Sequence, residues 1–384
     1  MKFSFSLGKE WGELKKIERL SEDERSVIFY AENKASMNHF RFLIEHLTKK
    51  MNLKICYVTS VKNDSIFSDS NQNINAFFIG DGTARTKFFL TLKAKILIMD
   101  MPDLQTYHIK RSKVFPVHYI YIFHSMFSIH SYLRKGALDH FDTIFCVGEH
   151  HEKEIREVER IYNLKQKNLL KYGFGRLDTL LDEKKQIGEN NFEKNLIIMT
   201  PTYGKDNFLK ICGIKMIEIL LESNFKVLLR PHFKIFQETP DLIDKIKIKF
   251  QNHKNFRLEE GVISKEDFHS SKCLISDWSG ISFEYAFTHE KPIIFIDVPK
   301  KEFNPEATKF LDIPIEITTR EKIGKVVSPD DINQISDILE KIINEQGKYQ
   351  EQIKDVRENI VFNLGKSSDI GIKNILNILQ IDEK

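Results

Sequence analysis

Cysteine is scarce in this sequence, with four residues among 384. Cys56, Cys146, Cys212 and Cys273 are scattered, and no two of them form a Cys-x-x-Cys pair. A zinc site built from cysteines at ligand spacing is therefore not expected. Three of the four fall in or beside apolar, strand-like runs, which indicates reduced thiols in a core. Reduced thiols favour a cytoplasmic location.

Long hydrophobic runs and a strong net charge are also missing. No apolar run approaches 18 residues, so we expect no transmembrane helix. Residues 1–20 lack a continuous apolar segment and do not read as a signal peptide. We interpret them as a packing arm, with an amphipathic membrane-surface helix as the alternative. The net charge of +3 argues against a chain that wraps nucleic acid, and we predict no nucleic-acid partner.

Short apolar runs alternate with longer helical stretches along the whole chain. The predicted strands are Val27–Tyr30, Lys54–Ser60, Asn75–Gly80, Lys95–Met99, Val117–Phe123, Thr143–Val147, Leu169–Tyr172, Leu196–Met199, Lys226–Leu229, Phe256–Leu258, Cys273–Ser276 and Pro292–Ile296. The predicted helices are Phe40–Lys50, Thr83–Ala94, Ser131–His140, Glu149–Tyr162, Phe208–Ser223, Pro240–Phe250, Ser282–His289, Asp331–Asn344 and Gln350–Asn363. Alternation of this kind predicts an α/β fold with parallel sheets, whose strands are buried on both faces.

The pattern restarts after a polar stretch, Asp182–Asn195, which we interpret as a linker. Two successive α/β halves predict two Rossmann-like domains that face each other across a cleft. The predicted domains are residues 1–185, which would bind an acceptor, and residues 186–384, which would bind a nucleotide donor. In open α/β sheets, ligands bind at the carboxyl ends of the strands. Polar side chains directly after strands are therefore the candidate site residues.

The densest polar cluster follows the predicted strand Cys273–Ser276 and opens a helix. Its candidate donor-binding residues are Ser276, Asp277, Ser279, Gly280, Ser282 and Glu284. Free backbone N–H groups and the helix dipole at such a point favour a phosphate. Glu284 would also be placed to accept hydrogen bonds from ribose hydroxyls. The alternative is an ordinary N-cap, because Ser and Asp cap helices routinely.

Two further donor-side segments follow strands in the second half. Arg230, Pro231 and His232 come after Lys226–Leu229, where a cation and an imidazole can stabilise a phosphoryl group. The turn from Thr200 to Lys205, which contains Thr202, comes after Leu196–Met199. The alternative for each is a surface loop, in which the histidine hydrogen-bonds to the protein itself.

In the first half, His124 ends the strand Val117–Phe123 and is the candidate general base toward an acceptor hydroxyl. The alternative is a buried histidine that is bonded to backbone. The other acceptor-side candidates are Asp100, Asp103, Ser125 and His130. For the two aspartates the alternative is a simple turn role. The segment Ser36–His39 is interpreted as a loop that lines the acceptor site.

These segments together resemble the CDP-glycerol glycerophosphotransferase family of cell-wall and capsule enzymes. The strongest likeness is Ile275–Pro299, ISDWSGISFEYAFTHEKPIIFIDVP. The others are Arg230–His232, the Pro201-Thr202 turn, Gly173–Asp178 (GFGRLD) and Asn363–Ser368 (NLGKSS). The resemblance covers most of the chain from about Tyr119 onward and implies a two-domain GT-B architecture.

The resemblance also implies roles for particular residues. His232, Ser279, Ser282 and Glu284 would bind the pyrophosphate and ribose of the donor. His124 stands where the family has the histidine of a His-Gly motif, with Ser125 in place of the glycine. Gly280 likewise replaces a second serine of the C-terminal motif. These two departures indicate a divergent branch of the family.

The resemblance predicts a transferase that moves a glycerol-phosphate or related polyol-phosphate unit from a CDP-activated donor. The acceptor would be a hydroxyl of a cell-surface glycan or of a lipid-linked acceptor. His124 and His232 would be catalytic, no cofactor or metal would be needed, and the location would be cytoplasmic. Peripheral contact with the inner face of the plasma membrane is a further hypothesis. The alternatives are a GT-B glycosyltransferase that uses a nucleotide sugar, and a non-catalytic nucleotide-binding subunit.

Overall fold

The structure is a computed structural model that describes residues 7–188, 195–300, 304–310 and 312–381. Its internal contacts divide the chain into two compact units. The described part of the first unit is residues 7–179, 304–310 and 360–381. That of the second unit is residues 180–188, 195–300 and 312–359. The sequence-based division assigned everything after residue 185 to the second domain, whereas two later segments belong to the first unit.

The first unit is built on a seven-stranded parallel sheet. Its strands are β1 (Val27–Ala31), β2 (Ile55–Thr59), β3 (Ile74–Phe78), β4 (Ile96–Met99), β5 (His118–Ile122), β6 (Thr143–Cys146) and β7 (Asn168–Lys171). They lie in the order β3-β2-β1-β4-β5-β6-β7. Residues of β1, β2, β4 and β6 are buried throughout, because helices cover both faces of a parallel sheet.

The second unit repeats this design with a six-stranded parallel sheet. Its strands are β8 (Leu196–Thr200), β9 (Lys226–Leu229), β10 (Phe256–Leu258), β11 (Cys273–Ser276), β12 (Ile293–Ile296) and β13 (Gly324–Val327). They lie in the order β10-β9-β8-β11-β12-β13. Both sheets therefore have the strand order of a dinucleotide-binding fold, which reverses direction beside the first strand. The predicted α/β class with two parallel sheets is confirmed.

Helices lie in most of the connections between the strands. Those before β8 are α1 (Leu7–Arg19), α2 (Ser36–Glu45), α3 (Thr83–Leu90), α4 (Ile129–Tyr132), α5 (Glu149–Ile161) and α6 (Gly175–Lys185). Those after β8 are α7 (Ile214–Glu222), α8 (Phe233–Glu238), α9 (Pro240–Phe250), α10 (Lys265–Ser270), α11 (Ile281–His289), α12 (Ile315–Ile323), α13 (Ile335–Asn344), α14 (Gln346–Ile360) and α15 (Ser367–Leu379). Short π-helical turns extend α2 at its end and α7 at its start, over His46–Lys50 and Leu209–Gly213.

Helix α15 explains why the end of the described chain belongs to the first unit. Its residues Ile372, Ile375, Leu376 and Leu379 are buried in the same core cluster as side chains of β1, β2 and β4. The N-terminus of α15 is held by Asp178 on α6. That carboxylate accepts hydrogen bonds from the amides of Gly365 (2.7 Å) and Ser367 (3.0 Å) and from the Ser367 hydroxyl.

The segments GFGRLD and NLGKSS thus meet in the structure, where they make a helix-docking contact. Gly173 has φ +104°, and a Cβ at this position would collide with the carbonyl oxygen of Phe362. Only glycine adopts this conformation freely and allows so close a backbone approach.

Three element predictions were wrong. The segment Ser36–His39 is the first turn of α2 and not a loop. The predicted helix Ser131–His140 is limited to α4, because Leu133 is extended and the following turn places Gly136 at φ +82°. The predicted linker begins inside α6, which continues to Lys185; residues 189–194 lie outside the described part of the chain.

Candidate functional site

The three predicted donor-side segments follow β8, β9 and β11, which are neighbours in the second sheet. Since the strands are parallel, their carboxyl ends lie along one edge. The strand order reverses between β8 and β11, and open α/β sheets bind ligands at this switch point. The three segments therefore lie side by side at the carboxyl edge of this sheet.

Backbone hydrogen bonds fix the three segments to one another. The Arg230 amide donates to the Met199 carbonyl (2.9 Å), and the His232 amide donates to that of Pro201 (3.2 Å). The buried carboxylate of Asp277 accepts from the amides of Thr202 (3.0 Å) and Phe208 (3.4 Å). Asp277 thus fastens the turn after β8 to the loop after β11.

Ser276 likewise connects the end of β11 to the end of β8. It is fully buried, its hydroxyl lies 3.2 Å from the Thr200 hydroxyl, and it donates to the Thr200 carbonyl (3.1 Å). The hydroxyl of Ser276 and the carboxylate of Asp277 are thus both engaged inside the protein. That either contacts a donor directly stays a prediction.

The loop after β11 leads into α11, whose N-cap residue is Gly280. Gly280 has no side chain to bond the first amides of the helix, and α11 has no side-chain cap. Ser279 and Gly280 are half-buried, while the buried Ser282 hydroxyl donates to the Ser279 carbonyl (2.7 Å). Glu284 lies in the first turn and is half-buried. An uncapped helix start with small residues around it suits an anion.

His232 is the N-cap of α8, and its hydrogen bonding defines its tautomer. Nδ1 accepts a hydrogen bond from the Lys234 amide (3.2 Å). The neutral ring therefore carries its proton on Nε2 and is a donor there. The rings of Tyr203 and Phe233 flank it, with centroids 4.6 and 4.5 Å away. His232 is thus a half-buried hydrogen-bond donor on the ligand edge of the sheet.

Arg230 is held by its Nε, which donates to the Gly261 carbonyl (3.2 Å). Burial lowers the pKa of this guanidinium, and nearby Glu259 acts in the opposite direction. An arginine stays protonated in proteins, so Arg230 supplies a positive charge beside His232.

Sequence reasoning missed Arg320 on α12. Its guanidinium lies over the Trp278 ring, 4.0 Å from the centroid, and pairs with Asp297 (2.9 Å). Trp278 also donates from Nε1 to the Val298 carbonyl (2.8 Å). Arg320 therefore braces the loop that carries Ser279. No local pattern links positions 278 and 320, so only the fold could show this contact.

In the first unit, the strand order reverses between β1 and β4. Asp100 directly follows β4 and is buried there. Its Oδ1 accepts a hydrogen bond from the hydroxyl of Ser36 at the start of α2 (2.9 Å). Burial raises the pKa of this carboxyl to about 7.

His124 follows β5, the next strand in the sheet. Its Nδ1 lies 3.3 Å from the backbone oxygen of Asp100. The side chain reaches solvent, yet desolvation by the surrounding protein lowers its pKa from the ordinary value. The rings of Tyr132 and His39 are near, with centroids 5.3 and 6.2 Å away. Asp100 thus contacts His124 through its backbone carbonyl, while its carboxylate accepts the hydrogen bond of Ser36.

The other acceptor-side candidates are engaged with their own neighbours. Asp103 accepts from Nε of Arg134 (2.7 Å), and the Ser125 hydroxyl accepts from the Phe127 amide (3.2 Å). His130 is buried and stacks on Phe310 with centroids 3.5 Å apart, beside a small cavity of about 30 Å³. Burial lowers its pKa to about 4. Their contact with an acceptor stays a prediction.

Among the described residues, no three His, Cys, Asp or Glu side chains form a group that could hold a metal ion. No helix within those residues combines the length and hydropathy that a membrane crossing needs.

The fold and the paired switch points define a GT-B-like α/β protein, and solved structures agree. A variant of the wall teichoic acid polymerase TagF, soaked with CDPG, is 15% identical with a TM-score of 0.62; the match covers 98% of this chain and 95% of that one. The UDP-GlcNAc 2-epimerase of Methanocaldococcus jannaschii, in complex with UDP-GlcNAc and UDP, is 15% identical with a TM-score of 0.57; the match covers 91% and 99%. At these identities the likeness shows the fold.

The sequence matches the family described as CDP-Glycerol:Poly(glycerophosphate) glycerophosphotransferase over residues 14–376. The chain belongs to this family, so the resemblance seen in the sequence is confirmed. A curated relative is the minor teichoic acid biosynthesis protein GgaB of Bacillus subtilis (strain 168), 29% identical over 166 residues. That match covers 36% of this chain and only 17% of the length of GgaB.

Proposed function

We propose that this chain is a glycerophosphotransferase of cell-wall polymer synthesis. It moves a glycerol-phosphate unit from CDP-glycerol to a hydroxyl of a glycan or lipid-linked acceptor. The observation that carries the proposal is the convergence of three polar segments at the β8/β11 switch point, in a chain that belongs to this family. The names of TagF and GgaB, both teichoic acid proteins, support the choice of pathway.

The second unit binds the donor in this proposal. The uncapped start of α11, with Ser279, Gly280 and Ser282, receives the pyrophosphate, and Glu284 accepts from the ribose hydroxyls. Thr202 completes the edge of the site. His232 donates from Nε2 to a phosphate oxygen, and Arg230 adds its charge. Such preorganised donors stabilise the charge that develops on the transferred and leaving phosphates.

The first unit supplies the base. When Nδ1 of His124 donates to the Asp100 carbonyl, the lone pair resides on Nε2. The lowered pKa keeps this ring unprotonated near neutrality. Nε2 removes the proton of the acceptor hydroxyl, whose oxygen then forms a bond to the distal phosphorus of the donor. The bond from that phosphorus to the bridging oxygen breaks, and CMP leaves with the electron pair.

Binding and turnover together test the proposal. CDP-glycerol and CMP should raise the melting temperature of the chain, because a ligand that binds only the native state stabilises it. UDP- and GDP-sugars serve as the comparison. His124→Ala should bind CDP-glycerol normally but release CMP about 10²–10⁴-fold more slowly. His140→Ala, an exposed histidine of the same unit, is the control.

Each other outcome has a definite meaning. A melting shift with a UDP- or GDP-sugar and none with CDP-glycerol would replace the proposal by sugar transfer. If His124→Ala released CMP at the wild-type rate, His124 would be excluded as the general base.

We further propose that the chain works in the cytoplasm, at the inner face of the membrane where lipid-linked acceptors are made. Sedimentation with anionic vesicles at low salt tests this, because surface charge attraction is strongest there. Recovery of all the protein in the supernatant would contradict it.

A further inference from the structure

His39 is a second histidine at the base site, and the function proposed above gives it no role. It lies in the first turn of α2, directly after β1, and so at the switch point of the first sheet. Its ring centroid is 6.2 Å from that of His124. Ligands of open α/β sheets bind at this topological position. One small polyol is long enough to contact both rings.

The ring of His39 has no hydrogen-bond partner among the described residues. It is 9% exposed, and Nδ1 is enclosed without a partner. Its ring contacts are with His124 and Phe174, whose centroid is 6.2 Å away. Buried polar groups are nearly always hydrogen-bonded, so an unpaired imidazole at a candidate site calls for an explanation.

The state of the ring follows from its surroundings. Burial, together with the nearby His124 and Arg176, lowers the pKa of His39 to about 3. The ring is therefore neutral at physiological pH. A proton on the enclosed Nδ1 would leave a buried N–H without an acceptor, which costs more free energy than a buried nitrogen lone pair without a donor. The neutral ring therefore carries its proton on Nε2. Nε2 is then a neutral hydrogen-bond donor next to the base.

We propose that His39 positions the acceptor: its Nε2–H donates to an acceptor oxygen next to the hydroxyl that attacks. This bond turns the attacking hydroxyl toward Nε2 of His124. The proposal rests on the proposed transfer function and deepens it, because it makes the acceptor a polyol with a second oxygen beside the reacting one. That oxygen belongs either to a neighbouring hydroxyl or to a phosphate.

Three variants of the full chain separate the positioning role from a packing role. His39→Phe keeps a planar ring and removes the donor, while His39→Gln retains an N–H donor. Glu45→Gln, at the exposed far end of α2, is the control. Glycerol and glycerol 3-phosphate are the acceptor probes, and ligand-observed NMR titration gives their dissociation constants. CMP release from CDP-glycerol, with and without each probe, gives the rates.

We expect His39→Phe to weaken probe binding and to raise the acceptor KM by about 3- to 10-fold, the effect of one lost hydrogen bond. The Glu45→Gln control should match the wild type in every readout, and His39→Gln should restore part of the affinity. Weakening for both probes would assign the bond to a hydroxyl. Weakening for glycerol 3-phosphate alone would assign it to a phosphate oxygen.

Three results would overturn the inference. One is wild-type affinity in His39→Phe for both probes, and another is a wild-type chain that binds neither. The third is equal loss in the Phe and Gln variants together with a lower melting temperature, which would mark a packing role. If the wild-type chain releases no CMP at all, the transfer function itself fails. If the wild type releases CMP and the His39 variants bind both probes as the wild type does, only the positioning role of His39 is rejected.

Discussion

At the scale of single residues, the environment of His124 sets the pH range of the reaction. Its pKa lies below the ordinary value of about 6.5, because desolvation disfavours the charged ring. A base works in its unprotonated form, so activity is lost as the pH falls through this pKa. We expect the acid limb of kcat/KM for CDP-glycerol to have its midpoint below pH 6.5. A midpoint at or above 7 would contradict an unprotonated His124 as the base.

The buried Asp100 makes a prediction about stability. Its folded pKa is about 7, so between pH 4 and pH 7 the folded chain holds a proton that the unfolded chain has lost. The stability that this proton gives is present at low pH and is lost as the pH rises through 7. Asp100→Asn keeps an acceptor for the Ser36 hydroxyl and cannot ionise.

The melting temperature of Asp100→Asn, relative to the wild type, should therefore rise from pH 5 to pH 8 and level off above. Thermal unfolding at several pH values measures it. A difference independent of pH would show that Asp100 is not the titrating group.

Sequence reasoning identified the residues that follow strands, but it could not reveal their partners. His124, His232 and Ser279 were found because strand ends are visible as the ends of apolar runs. The bond from His124 to the Asp100 backbone and the contact of Arg320 with Trp278 join segments that are remote in sequence. The segment Ser36–His39 was expected to line the acceptor site, but as a loop, whereas it forms the first turn of α2.

At the scale of elements, the docking of α15 depends on one carboxylate. Asp178 is 1% exposed and accepts from the amides of Gly365 and Ser367 and from the Ser367 hydroxyl. Asp178→Ala leaves these donors unpaired in a buried place and should lower the unfolding free energy by about 2–4 kcal/mol. Thermal and urea unfolding measure the change. Asp182→Ala, one turn further along α6 and exposed, should have little effect.

The strands were easier to predict than the helices. Buried parallel strands are short apolar runs with polar ends, and all but β13 were predicted. β13 was missed because it starts with Gly324 and Lys325 at an edge of the sheet. Helices α6 and α15 were missed for a different reason. Helix α6 begins with Gly175, and α15 contains Gly371, and glycine in a sequence usually indicates a turn. Both glycines lie in helices here because neighbouring residues pack closely against them.

At the scale of the whole molecule, the two cores should respond to mutation separately. Ile375 on α15 and Ile335 on α13 are both fully buried, the first in the core of the first unit and the second in that of the second. Truncation of either to alanine should cost about 2–5 kcal/mol. Hydrogen exchange should show faster opening of β1–β7 in Ile375→Ala and of β8–β13 in Ile335→Ala. Equal acceleration in both units by either variant would show one cooperative core.

The return of α15 to the first sheet also sets the order of events during synthesis. Domains usually fold on the ribosome in the order in which they emerge. Here β1–β7 emerge first, yet one covered face of their sheet needs Ile372, Ile375 and Leu376, which are made after the whole second unit. During synthesis, the face of the first sheet that α15 covers therefore stays exposed to solvent until the whole second unit has been made. The second unit can complete its fold before the first. In the cell, this chain should depend on chaperones for as long as that interval lasts.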